Sequence, residues 1–410
     1  MERELDVVLE LDGTDVLVGR LWSRTRGARE SASFEYDGTW LTRRGAFALD
    51  PELPLATGRA HTERPLFNAF TDPAPDRWGQ TLMRRQERAR AKAEGRTPRT
   101  LLASDFLTLV DDATRLGALR FRDAGSRAFL TVGGGVPPLV QLPRLLRASA
   151  AVVADEESDD DLALLLAPGT SLGGARPKAS VRRSDGTLAI AKFPSKEDDW
   201  PVTRWEAATL AMAQAAGIVV PRFELVTILK KPVLIIDRFD RADDRRIPYM
   251  SAMTALTARD GDQRSYLELA DVLRAGGHDT REQLAQLWRR IVFSVLVSNT
   301  DDHLRNHGFL RAADGWALAP AFDLNPMPSD VRPRVHALAL DETDPTASLK
   351  TVRAIAGSFG VSAARATSII REVGGVTKKW RTFAQKHGLS PREIERMESA
   401  FDHDDANAAR

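Results

Sequence analysis

The chain has 410 residues, 43% apolar and 28% charged, which allows two or three globular domains with a sizeable core. Its formal net charge of +1 argues against nucleic-acid binding by bulk electrostatics and leaves only a local basic patch. The absence of cysteine removes disulfides, thiolate catalysis and Cys-type zinc sites. The charged start, Met1 to Asp6, is unlike a signal peptide, and the apolar run Ile291 to Val297 is too short to span a bilayer. A cytoplasmic protein with no membrane contact is expected.

The first part reads as β-rich. Val7 to Leu11, the turn Asp12-Gly13-Thr14 and Val16 to Leu21 predict a hairpin, with a third strand over Ala32 to Tyr36. A charged helix is predicted from Arg77 to about Glu94, its Arg/Lys face solvated. The acidic run Asp155 to Asp161 reads as an exposed linker or helix start. Next come a Gly-bearing loop, strands, a helix, more strands, and then mainly helices. Leu284, Leu287, Trp288, Ile291, Val295 and Leu296 recur at helical spacing, so 281–298 is predicted as a buried helix. Residues Asp402 to Arg410 are polar and are expected to fray.

The residues that carry chemistry follow in order. Ser171-Leu172-Gly173-Gly174-Ala175-Arg176-Pro177-Lys178 offers two glycines whose N–H groups can approach phosphate oxygens, beside positive charge. In Leu188-Ala189-Ile190-Ala191-Lys192-Phe193 a lysine interrupts an apolar strand, which favours a phosphate or carboxylate partner; snorkelling to water is the simpler alternative. Glu206, on a helix from Trp205 to Ala216, can pair with that lysine or close a capping box with Thr203. Val233 to Asp237, running into Arg238-Phe239-Asp240-Arg241, is either a hinge beside adenine or a strand end at the surface.

Asp301-Asp302-His303-Leu304-Arg305-Asn306 and Ala321-Phe322-Asp323 complete the set. An Asn five residues after Asp301 and an Asp seventeen after that Asn match the spacing of protein-kinase-type phosphoryl transfer. Asp301 has that spacing and Asp302 does not, so Asp301 is the candidate base, with Asn306 and Asp323 as Mg²⁺ ligands. His303 and His307, four apart, raise a zinc reading, but no Glu lies between them as in HExxH.

With these motifs in this order the chain resembles the HipA family of bacterial serine/threonine kinases, toxins of type II toxin–antitoxin pairs. Asp72-Pro73-Ala74-Pro75-Asp76-Arg77-Trp78 resembles that family's N-terminal subdomain. Ser171 to Lys178 resembles its phosphate loop, Asn299 to Asn306 its catalytic loop, and Pro320 to Asp323 its metal motif. The resemblance implies an α+β, two-lobed protein-kinase-like fold. A β-rich N-terminal subdomain would span 1–130, a kinase N-lobe 131–240 and a helical C-lobe 241–410. It implies ATP and Mg²⁺ as cofactors, Asp301 as catalytic base, and Asn306 and Asp323 on the metal. ATP contacts would come from Lys192, Gly173, Gly174, Ala175, Asp237, Phe239 and Asn306, with Glu206 as the lysine's partner. Ser171 would be the autophosphorylation site that silences the kinase. The implied partners are a HipB-like DNA-binding antitoxin, through which any DNA contact is mainly made, and a protein substrate such as an aminoacyl-tRNA synthetase. Two other functions fit the motifs: a small-molecule kinase resembling aminoglycoside phosphotransferases, and a non-catalytic ATP-binding partner protein.

Overall fold

The structure is a computed structural model and describes residues 2–27, 29–130, 135–166, 174–243 and 245–409. The chain forms two units. One is Met1–Lys196 with Ile228–Lys231 and Ile235–Met250; the other is Glu197–Thr227 with Pro232–Leu234 and Ser251–Arg410.

In the first unit, β1 (Glu2–Leu11), β2 (Thr14–Arg26), β3 (Arg29–Tyr36), β4 (Ala60–Thr62) and β5 (Leu119–Asp123) make an antiparallel sheet of order β4-β3-β2-β1-β5. The β1–β2 hairpin forms as predicted because Asp12 and Gly13 both take positive φ, 51° and 76°. That two-residue turn matches the natural twist of the strands it joins. A register shift between Val7 and Val8 re-aims the side chains there, and Val7, Val8 and Leu9 are all buried. A helix, Arg77–Ala93, starts where the Asp76 carboxylate accepts from the Gly79 N–H at 2.8 Å. A second antiparallel hairpin pairs β6 (Lys178–Arg182) with β7 (Leu188–Lys192), setting Lys178 directly opposite Lys192. The division between the units falls within β8 (Phe223–Ile228) and β9 (Lys231–Asp237).

The second unit is mainly helical. Its core helix, Thr280–Leu296, buries Leu284, Leu287, Trp288, Ile291 and Val295, and also Val292, Phe293 and Leu296, so it is apolar around most of its girth. The Trp288 indole N–H finds a buried partner in the Val352 carbonyl at 2.9 Å. Trp205, on the helix Val202–Ala215, packs against Trp380 and Phe401, whose rings stack 4.6 Å apart. Among the described residues no helix is long and apolar enough to cross a membrane.

One expectation is overturned. The C-terminal residues do not fray: Asp404–Ala408 is a helix with Ala406 and Ala409 buried. Asp405 explains why, since its two oxygens accept from the Leu349 N–H at 2.7 Å and from Arg334 at 2.8 Å. The polar composition concealed a docked end. The docking is close enough to leave no space at Gly374, where an added Cβ would stand 2.4 Å from the Ala409 carbonyl oxygen. Alanine is the better intrinsic helix former by about 1 kcal/mol, yet the clash outweighs this. Gly374→Ala is therefore expected to destabilise by about 1–3 kcal/mol in urea unfolding; an unchanged or raised midpoint would mean that the last helix docks elsewhere.

Candidate active site

The helix Thr280–Leu296 delivers its C-terminus into the loop Ser298 to Asn306. Ser298 takes a left-handed φ of 51° there, which turns the chain sharply out of the helix. Hydrogen bonds then lash the loop to the segment beyond Asp323. The Asn325 N–H donates to the Asn299 side-chain oxygen (3.1 Å), Met327 N–H to Ser298 O (3.0 Å), and Ala337 N–H to Thr300 O (2.9 Å). Asp323 itself sits at φ 56°.

Two adjacent carboxylates end in opposite environments. The Asp301 side chain is 61% exposed and takes one guanidinium N–H from Arg332 at 3.1 Å. The Asp302 side chain is 5% exposed and accepts from the Tyr266 hydroxyl at 2.5 Å, with His307 Nε2 at 3.1 Å. Burial pushes the Asp302 carboxyl up, but His307 and the Tyr266 hydroxyl outweigh it and hold the group below its ordinary value. Burial and Asp302 both raise the Tyr266 hydroxyl, which therefore remains a donor. Arg290, drawn down to about 10 by burial and still charged, donates to the Ala319 carbonyl at 2.7 Å.

Asn306 is the most informative side chain of the loop. Its Nδ2 donates to the Asp301 carbonyl at 3.1 Å, which fixes the amide. Its Oδ1 is buried and has no hydrogen-bond partner among the described residues. An orphaned buried oxygen is costly, and a hard cation is a partner of the right chemistry for it. The Asn306 oxygen thus has the chemistry of a ligand for a hard cation such as Mg²⁺. His307 is turned to Asp302, and among the described residues no group of three or more His, Asp or Glu side chains is arranged to hold a metal.

His336 lies in the same unit, buried, with neither ring nitrogen hydrogen-bonded among the described residues. Burial lowers it to about 4, against the opposing pull of Asp302. As pH falls below 6.5 the unfolded chain takes up this proton and the folded chain does not. Stability is therefore lost between pH 6.5 and 4, reaching about 3 kcal/mol below that range. Urea midpoints at pH 7 and pH 5 are expected to differ more in the wild type than in His336→Gln; equal differences would remove His336 as the cause.

The first unit carries the other named residues except Glu206. Lys192 ends β7, half-buried. Gly174, at φ 96°, and Ala175 precede β6, while Ser171 and Gly173 lie outside the described residues. The surface-end alternative for β9 fails, because its continuation is buried. Asp237 takes Arg183 Nε at 2.5 Å, and the Asp240 carboxylate is fully buried against Arg238, Arg241 and the Gly117 N–H. Phe239 packs near Tyr249, ring centroids 6.1 Å apart. In the second unit Glu206 is 3% exposed. Its capping-box alternative is not formed: the helix begins after Pro201, which puts Thr203 inside it, and the Thr203 hydroxyl has no hydrogen-bond partner among the described residues.

Sequence reasoning missed Asp302, Tyr266 and Asp240 as supports of these segments. The repeated Asp-Arg of Asp237-Arg238-Phe239-Asp240-Arg241 was a usable signal for Asp240. Tyr266 gave none, being 36 residues from the Asp302 it hydrogen-bonds.

Comparison with known proteins adds the following. Residues 170–380 match the family model of the HipA-like C-terminal domain, and residues 9–104 that of the HipA N-terminal domain. A Haemophilus influenzae protein named "Putative kinase" is 28% identical over 200 residues, covering 42% of this chain and 58% of that protein. "Putative kinase Y4dM" of Sinorhizobium fredii is 28% identical over 203 residues, covering 42% of this chain and 49% of that protein. The matches thus span about half the length of these relatives. The fold is similar to that of a chain in the solved toxin–antitoxin complex of HipA, HipB and operator DNA from Shewanella oneidensis. The TM-score is 0.67 at 16% identity, over 99% of this chain and 96% of that one.

Proposed function

The chain belongs to the HipA family, and from that premise we propose that it is an ATP- and Mg²⁺-dependent serine/threonine protein kinase, the toxin of a toxin–antitoxin pair. One observation carries the reading: the Asn306 amide, pinned to the Asp301 backbone, presents a buried oxygen without a partner among the described residues, in the same loop as an accessible carboxylate at kinase spacing. In this reading the Asp301 carboxylate orients the acceptor hydroxyl and takes its proton as the oxygen attacks the γ-phosphorus. The bond from that phosphorus to the β–γ bridging oxygen breaks, and ADP leaves. Asn306 Oδ1 and Asp323 would hold Mg²⁺, which would offset the negative charge of the phosphate oxygens. Lys192 binds phosphate oxygens; Gly174 and Ala175, with Gly173, supply backbone N–H groups; Asp237 and Phe239 flank adenine. Phosphorylation of Ser171 would place a dianion in a loop suited to phosphate and so repel ATP.

The fold likeness to a protein solved with an antitoxin and operator DNA supports a HipB-like DNA-binding partner. Any DNA contact would be made mainly through that partner, given the chain's net charge of +1. An aminoacyl-tRNA synthetase is the proposed class of protein substrate. The test is a screen of protein and small-molecule acceptors with ADP release as the readout, with and without a Mg²⁺ chelator. Chelator-sensitive transfer to a protein hydroxyl is expected. Transfer only to small molecules would favour the aminoglycoside-kinase-like alternative, and nucleotide binding without turnover the non-catalytic one.

A further inference from the structure

Lys178 follows the glycine loop, begins β6 and stands opposite Lys192 in the β6–β7 register. Two lysines directly opposite across an antiparallel pair repel each other, and Lys178 is also buried, its side chain 3% exposed. Such an ammonium is tolerated only with a committed counter-charge. That charge comes from a residue 102 positions earlier: Asp76 Oδ2 accepts from Lys178 Nζ at 2.6 Å, with the Asp76 side chain 6% exposed.

Both oxygens of Asp76 are occupied. Oδ1 caps the helix Arg77–Ala93 through the Gly79 N–H, so the carboxylate cannot rotate away without uncapping that helix. The first turn of the helix also grips the arm at both ends. The Trp78 indole N–H donates to the Lys178 carbonyl at 2.9 Å, and the Trp78 backbone N–H approaches the Gly174 carbonyl at 3.4 Å. Lys178 Nζ closes the ring by donating to the Gly174 carbonyl at 3.2 Å. The arm 174–178 is thus held by one helix N-terminus and one carboxylate.

We infer that Asp76, through its buried pair with Lys178, is a positioning residue for the nucleotide site. It fixes the arm Gly174 to Lys178 at its two ends and removes the charge that would otherwise oppose Lys192 across the hairpin. The inference rests on the kinase reading, in which Lys192 and Gly174 meet ATP phosphates.

The test measures ATP-dependent turnover and calorimetric ATP binding for the full chain as wild type, Asp76→Asn, Asp76→Glu and Trp78→Phe, with thermal melts alongside. Asp76→Asn is expected to raise KM for ATP by roughly tenfold or more while kcat changes far less. Asp76→Glu should recover part of that loss, and Trp78→Phe should shift KM in the same direction by less. If Asp76→Asn does not fold, the KM of Trp78→Phe decides. A KM for ATP unchanged in the folded variants would overturn the inference while leaving the kinase reading intact. A wild type that binds no nucleotide would overturn the kinase reading, and the inference with it.

Discussion

Asp301→Asn is expected to slow phosphoryl transfer about 10²–10⁴-fold, with the urea midpoint of the protein almost unmoved. The two halves of this expectation have separate physical sources. An amide of the same shape cannot accept the proton of the acceptor hydroxyl, so the general-base contribution is lost. The side chain is 61% exposed and pairs with the surface guanidinium of Arg332. Exposed ion pairs contribute roughly 0–1 kcal/mol, so little stability depends on it. ADP release at saturating ATP measures the first half and equilibrium unfolding the second. A variant that keeps its rate removes Asp301 from the chemistry, and one that loses several kcal/mol of stability assigns it a structural role instead.

The neighbouring residue should behave the other way round. Asp302→Ala is expected to cost about 3–5 kcal/mol. It strips the Tyr266 hydroxyl of its acceptor and His307 of its ion-pair partner, and removes the negative charge that favours the charged form of the buried Arg290. The lost acceptor cannot be replaced by water without opening the core around Tyr266, which is fully buried. Urea unfolding of Asp302→Ala beside Asp301→Ala checks this directly: a loss for Asp302→Ala no larger than for Asp301→Ala would mean that the buried cluster does not support the loop. Activity in the remaining folded fraction is a distinct quantity and should be compared per folded molecule.

What was legible in the sequence follows the range of the interactions involved. The family and the α+β class were legible because motifs in a fixed order survive without knowledge of contacts. The β1–β2 hairpin was legible because Asp12 and Gly13 specify their own turn. The helix over 280–296 was legible because its apolar side chains repeat at its own period. The five-residue relation of Asp301 and Asn306 is likewise local, closed by a hydrogen bond within the loop. Features that failed to show depend on distant partners. The C-terminus looked like a frayed tail because its anchors, Arg334 and Leu349, lie more than fifty residues upstream. The capping alternative for Glu206 looked plausible because Thr203 and Glu206 have the right spacing, but Pro201 starts the helix earlier. Asp76 read as part of a family motif, and its role as counter-charge to Lys178 is visible only once the hairpin sets Lys178 against Lys192.

The most direct measurement of Asp301-dependent phosphoryl transfer is intact-mass spectrometry after incubation with ATP and Mg²⁺, on wild type, Ser171→Ala and Asp301→Asn. The predicted result is a gain of one phosphate on the wild type and none on either variant. A wild-type mass unchanged by ATP, or an equal gain in Asp301→Asn, would contradict the assignment.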